Sequence, residues 1–178
     1  ALAEGVLTGA MEAGLLADAT IAANETQAEA FWQLRDSVAA SQRAKGPAVQ
    51  HDISVPVEKM PAFVEEAVPL LEEAWPGTEA IAFGHLGDGN IHFHVIAPRG
   101  ADAESWYAGD AKAISGQVYD LVTAWNGSIS AEHGIGQLKC AELERMGDPV
   151  ALAMLRQVKH ALDPAGLFNP GKLLTFPR

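Results

Sequence analysis

Residues 83–95, FGHLGDGNIHFHV, constrain the fold more than any other part of the chain. Ile91, Phe93 and Val95 alternate with His92 and His94, the period of a strand with one apolar and one polar face. Residues 79–84 read as a second strand just upstream, and Gly84, Gly87 and Gly89 allow a tight reversal between the two. The pair is predicted as a β-hairpin. His85 leaves its first strand, His92 enters its second, and His94 follows on the same face as His92, so three imidazoles crowd one end of one hairpin.

The flanking segments alternate between helix and strand patterns. Residues 1–16 read as a helix, and Asn24, with Gln27 three positions on, caps a second helix running to about residue 44. Residues 51–57, HDISVPV, read as a strand whose Ile53, Val55 and Val57 share a face. Helices are predicted over 58–75, 102–126, 136–146 and 149–162, a short strand enters the segment GSISAEHGIGQLK, and the tail LFNPGKLLTFPR reads as extended. A hairpin set among long helices, without strict strand-helix-strand alternation, predicts an α+β fold: an antiparallel sheet with helices packed on one face. A chain of 178 residues suits one or two small domains. The division expected is a body over residues 1–165 and a tail over 166–178.

Charge and composition exclude several function classes. A net charge of −11 leaves too little clustered Lys and Arg to displace counterions from a phosphate backbone, so no nucleic-acid partner is expected. No apolar run approaches the roughly 20 residues a membrane helix needs, and no basic-then-apolar leader opens the chain. With Cys140 as its single cysteine, the expected location is a reducing compartment, the cytoplasm. The start at Ala1 within a helical pattern is how an internal piece of a longer protein would begin.

The histidines point to metal chemistry. Two histidines from a hairpin and one carboxylate from elsewhere make the ligand count of a catalytic zinc site with one position open. Glu132, in the glycine loop SAEHGIG, is the obvious carboxylate, and neighbouring His133 would point another way and serve proton transfer. Other motifs fail. GLFNPGK lacks the Ser or Thr of a phosphate-binding loop at Leu173, and Pro170 removes an amide. Ile96 stands where a histidine triad needs a third His, no Gly-x-Ser-x-Gly occurs, and Cys140 suits packing better than nucleophilic attack. On residue types alone, three readings stay open: part of a redox enzyme, a metal-dependent hydrolase, or a metal-stabilised binding module without activity.

The segments FWQLRDSV, HDISVPVEKMP, FGHLGDGNIHFHV, SAEHGIGQLK and LDPAGLFNPGKLL resemble, in order, the C-terminal domain of FAD-linked oxidases, the family of D-lactate dehydrogenase, the glycolate oxidase D subunit and D-2-hydroxyglutarate dehydrogenase. The resemblance spans about residues 25–175. It implies an incomplete piece of an enzyme: a ferredoxin-like substrate or cap domain that follows an N-terminal FAD-binding domain. By position it implies His85, His92 and Glu132 as ligands of a divalent metal, expected to be Zn, His133 as catalytic base, and Arg35 as partner of the substrate carboxylate. His94 and Gln50 fall at substrate-contacting positions, with His94 within reach of the metal as a third imidazole. Asn169 and Lys172, in the tail, would return toward the FAD-binding domain and its cofactor, with Leu167 and Phe168 as interface. The implied partners are that domain, a small 2-hydroxy acid and a second copy in a homodimer. Some members that handle 2-hydroxyglutarate carry Lys, Thr and Asn where Gln50, Ala39 and His94 stand, which tilts the expectation toward a monocarboxylate such as lactate or glycolate.

Overall fold

The computed structural model describes residues 2–175, with Ala39 and Arg43 described by backbone alone. Two compact units divide the chain, residues 1–44 and 45–178. The first holds two helices, α1 (Leu2–Glu12) and α2 (Glu25–Arg43). The start of α2 follows from its sequence. The Asn24 side chain accepts from the Gln27 amide at 3.0 Å, and Gln27 Oε1 accepts from the Ala23 amide at 2.8 Å, so two amides at the helix start are satisfied reciprocally.

The second unit is built on a three-stranded antiparallel sheet, β1 (Ala48–Ser54), β2 (Glu79–His85) and β3 (Asn90–Ile96), in the order β1-β3-β2. The hairpin β2–β3 forms as predicted, closed by residues 86–89. The Asp88 carboxylate accepts from the Asn90 amide at 3.0 Å, and Gly89 adopts a φ of 80°, in the left-handed region that glycine enters freely. Helices α3 (Met60–Ala74), α4 (Ala103–Ala108), α5 (Asp110–Ala124), α6 (Cys140–Met146) and α7 (Pro149–Leu162) complete the unit. The fold is therefore α+β with an antiparallel sheet, as expected.

One sheet face is apolar. Ile53, Ile91, Phe93 and Val95 pack with Phe63 and Leu71 of α3 and Ile114, Val118 and Val122 of α5, all almost fully buried. The Phe63 ring meets Phe93 and Trp125 edge-on, at 6.2 and 6.0 Å. The opposite face carries the alternate residues. In register across the three strands run Gln50, His94 and Ile81, then Asp52, His92 and Phe83, then Ser54, Asn90 and His85.

Several elements differ from the sequence expectation: the first helix ends at Glu12, the first strand begins at Ala48, the short strand predicted to enter residues 127–139 is a single Ser54–Ser128 bridge, and three further boundaries have a clear cause. The first strand ends at Ser54, because Pro56 has no amide for the ladder and the chain turns into a 3-10 turn over Val57–Lys59; Val55 is buried, but Val57 is exposed. The helix predicted over 102–126 breaks at Gly109, whose amide bonds back to the carbonyls of Ser105 and Trp106 and ends α4 before Asp110 starts α5. The helix expected from residue 136 begins at Cys140, since Gly136 has a φ of 56° and cannot start an α-turn.

The tail is folded rather than extended. The Leu173 amide bonds to Gly136 O at 2.8 Å, Leu174 is 1% exposed, and Asn169 and Leu173 adopt positive φ in the turns that bring the chain back. Asp163 anchors its entry by accepting from the amides of Leu167 and Phe168, both at 2.9 Å. Phe176–Arg178, the last residues of that predicted tail, lie outside the described residues.

Candidate metal and substrate site

His92 and His94 project from the polar sheet face because side chains on β3 alternate, and His85 ends β2 beside them. His85 and His92 meet edge-on with centroids 5.5 Å apart, and the Phe83 ring lies 5.1 Å from His92 and 5.3 Å from His94. His94 is buried. Burial, and secondarily the neighbouring His92, push its pKa down to about 4, so it is a neutral imidazole at physiological pH. Gln50 pairs with His94 on β1 and is exposed.

Glu132 arrives from residues 128–139, a segment with little regular structure of its own. It is held to the sheet in several ways, among them the Ala131 amide on the Asp52 backbone carbonyl at 3.3 Å. Ser128 and Ser54 exchange backbone hydrogen bonds of 2.8 and 3.0 Å. Gly127 lies so close that a Cβ there would stand 2.2 Å from Ser54 O, which only glycine avoids. Lys139 Nζ reaches back to Ile129 O at 2.8 Å and Asp52 O at 3.4 Å.

The result brings the predicted residues together. Glu132 Oε1 lies 3.2 Å from His85 Nδ1, and its Oε2 lies 3.9 Å from His92 Nε2. Bonds of about 2.0–2.1 Å at a tetrahedral angle place neighbouring donors about 3.3 Å apart; the His85–Glu132 pair meets that spacing, and His92 would have to move closer to share an ion with them. His133 stands alongside, its ring stacked 6.1 Å from His92 and its side chain 70% exposed, open to a substrate. Two triplets of donor atoms lie within 4.8 Å of one another among the described residues, His85, Asp88 and Glu132, and Asp52, Glu132 and His133; the predicted set of His85, His92 and Glu132 is not one of them, its two histidines each pairing with Glu132. Glu132 is common to both, which makes it the hub of the cluster.

Asp52 is the residue the sequence reading missed. It is 4% exposed and accepts four hydrogen bonds: Oδ2 from the amides of Ala131 (3.2 Å), Glu132 (2.7 Å) and His133 (2.8 Å), and Oδ1 from Asn90 Nδ2 (2.7 Å). Burial pushes its carboxyl pKa up, but the His133 and Glu132 amides and Asn90 outweigh that and hold it below the usual range, so it is a carboxylate. A signal existed in HDISV, where an acid alternates with Ile53 in a strand.

The remaining predicted residues lie elsewhere along the chain. Arg35 is on α2 in the first unit, partly exposed, with Nη1 3.3 Å from Asp36 Oδ1. The Ala39 side chain lies outside what the structure describes. Asn169 and Lys172 form the turn before Leu173, with the Lys172 amide on Asn169 O at 3.2 Å; both are exposed. Leu167 and Phe168, just ahead of them, are 74% and 66% exposed. No described helix is long and apolar enough to cross a membrane.

Comparison with known proteins gives the family context. The chain is 36% identical to a D-2-hydroxyglutarate dehydrogenase of Stutzerimonas stutzeri, over 92% of this chain and 35% of that protein. It is 33% identical to the mitochondrial D-2-hydroxyglutarate dehydrogenase of Arabidopsis thaliana and 34% identical to that of Danio rerio, over 96% and 92% of this chain and 29% of each relative. The chain thus spans about a third of the length of these relatives. The family profile described as FAD linked oxidases, C-terminal domain, matches residues 1–173, and the chain belongs to that family.

Proposed function

We propose that this chain is the substrate- and metal-binding part of an FAD-dependent dehydrogenase for a D-2-hydroxy acid. The observation that carries the reading is the Glu132 carboxylate set against both His85 and His92 beside an exposed His133, in a chain of this family. His85, His92 and Glu132 would hold a divalent metal, Zn by the chemistry of two imidazoles and a carboxylate. When bound, such an ion acts as a Lewis acid that lowers the pKa of a substrate hydroxyl. A separate FAD-binding domain would be the partner holding FAD, which would supply the acceptor for the hydride of the hydroxyl-bearing carbon.

The chain's own residues orient the substrate and manage its proton. His133, 70% exposed and beside the donor cluster, accepts the hydroxyl proton at a ring nitrogen. Arg35 is the candidate partner for the substrate carboxylate, since a guanidinium fork binds a carboxylate at both oxygens and keeps its charge. Gln50 and His94, on the sheet face beside His92, would contact the rest of the substrate, with the half-buried Phe83 ring against His94. Asn169 and Lys172, with exposed Leu167 and Phe168, are the candidate contacts toward the FAD-binding domain and its cofactor. The relatives' names make D-2-hydroxyglutarate the first acid to test. The neutral Gln50 makes D-lactate the acid to compare with it. The single cysteine suits a reducing compartment such as the cytoplasm.

Turnover tests the reading. The whole enzyme, carrying its FAD-binding domain, should reduce an artificial dye with a D-2-hydroxy acid, and His133→Ala should lower kcat by roughly 10²–10⁴. Full turnover by His133→Ala would remove the assigned base. Hydrolysis of an ester by the 178-residue chain alone would favour the hydrolase reading instead.

A further inference from the structure

Three consecutive amides, those of Ala131, Glu132 and His133, converge on one oxygen of Asp52. Successive N–H groups pointing inward make an anion-binding concavity of the kind that elsewhere holds a phosphate or a cluster. Here the anion is a side chain of the same fold. Asp52 enters from β1, directly across the ladder from His92, and its other oxygen takes the Asn90 side chain of β3. One buried carboxylate thereby ties the strand that carries His92 to the loop that carries Glu132 and His133. We infer that Asp52 is a positioning residue: by fixing the main chain of residues 131–133 it aims the Glu132 carboxylate at His85 and His92, and it sets the affinity for the cation without touching it.

Two observations favour positioning over ligation. A carboxylate oxygen with three amide donors has no lone pair left for a metal, and the Asp52 side chain is 3% exposed, against 44% for Glu132. Nor does Asp52 orient the imidazoles by direct hydrogen bonds, since His92 Nδ1 and His133 Nδ1 stand 3.9 and 3.8 Å from its oxygens. Its effect runs through the loop backbone. Loop 128–135 has few other ties to the sheet: the Ser54–Ser128 bridge at its start, the Ala131 amide on the Asp52 backbone carbonyl at 3.3 Å, and the reach of Lys139 from its far end. Without the carboxylate, the amides of Glu132 and His133 are left unpaired and little keeps Glu132 at 3.2 Å from His85.

The inference rests on the metal reading above, so the test separates the two. Zn²⁺ is titrated calorimetrically into the 178-residue chain and into Asp52→Asn and Glu132→Gln, Co²⁺ absorption spectra are recorded, and amide hydrogen exchange is measured without metal. Asp52→Asn should bind Zn²⁺ roughly 10- to 100-fold more weakly, the usual effect of losing a group that orients a ligand. It should also shift the Co²⁺ spectrum and speed exchange at residues 132 and 133. Glu132→Gln should lose Zn²⁺ affinity more severely while leaving those amides protected. Wild-type Zn²⁺ affinity in Asp52→Asn, with affinity lost in Glu132→Gln, would overturn the positioning role and leave the metal site standing. Wild-type affinity in Glu132→Gln would overturn the metal site and this inference with it. Should Asp52→Asn fail to fold, the wild-type chain decides: amides 132 and 133 exchanging no more slowly than the amide of Gly134 would overturn the inference, and slower exchange at those two would support it.

Discussion

Acidification should weaken the fold through His51. This residue lies on the apolar face of β1, 1% exposed, with Nδ1 2.9 Å from Phe93 O, Nε2 3.0 Å from Ser115 Oγ, and Tyr119 edge-on at 5.3 Å. Burial dominates its titration and pushes its pKa from 6.5 down to about 4, against the opposing pull of the Phe93 carbonyl. The unfolded chain therefore binds the proton between pH 6.5 and about 4 while the folded chain does not. Stability from this group is complete above the unfolded pKa and is lost as pH falls through that window. At about 1.36 kcal/mol per pH unit, the full loss approaches about 3 kcal/mol by pH 4. Urea unfolding of wild type and of His51→Gln, each followed from pH 7.5 to 4, isolates the contribution. The variant is expected to be less stable at pH 7, having lost a fitted imidazole, but its stability should fall less steeply with acid, so the two curves converge by about 3 kcal/mol. Parallel curves would show that His51 takes up its proton without unfolding, and would refute the assignment.

Two further outcomes follow from the loops around the site. Gly89→Ala should destabilise by about 2–3 kcal/mol in urea unfolding, because residue 89 has a φ of 80° and a Cβ there would stand 2.2 Å from Val55 O; a loss below 0.5 kcal/mol, inside the usual surface range, would mean the turn re-forms. Lys139→Met removes the donor to Ile129 O and Asp52 O, whose folded position also lowers the Lys139 pKa by burial ahead of the opposing pull of Asp52. Its expected cost is about 1–2 kcal/mol, seen as faster exchange across residues 128–133, and unchanged exchange there would dismiss the lysine as an anchor of the loop.

Much of the architecture is legible in local patterns, because those patterns act over a few residues. Alternation in NIHFHVI dictates which side chains leave β3 on the polar face, Asn24 and Gln27 start α2, and Asp148 and Pro149 start α7. The SAEHGIG glycines mark a loop that approaches other groups closely. The edges of elements were less legible, since Pro56, Gly109 and Gly136 end or divide segments whose hydrophobic period continues past them.

What only the tertiary structure decided is how distant segments meet. That Glu132 lies within 4 Å of both His85 and His92 depends on a loop about 40 residues downstream of the hairpin folding back onto β1. The anchor of that loop, Asp52, is invisible as a partner in the sequence because the groups it binds are backbone amides, which every residue but proline carries and which therefore leave no mark in residue identity. By itself the sequence determined the set of donors, the faces they occupy and the family they belong to. The fold alone determined their convergence, since burying Asp52 among four donors is favourable only once the sheet and the loop are both in place.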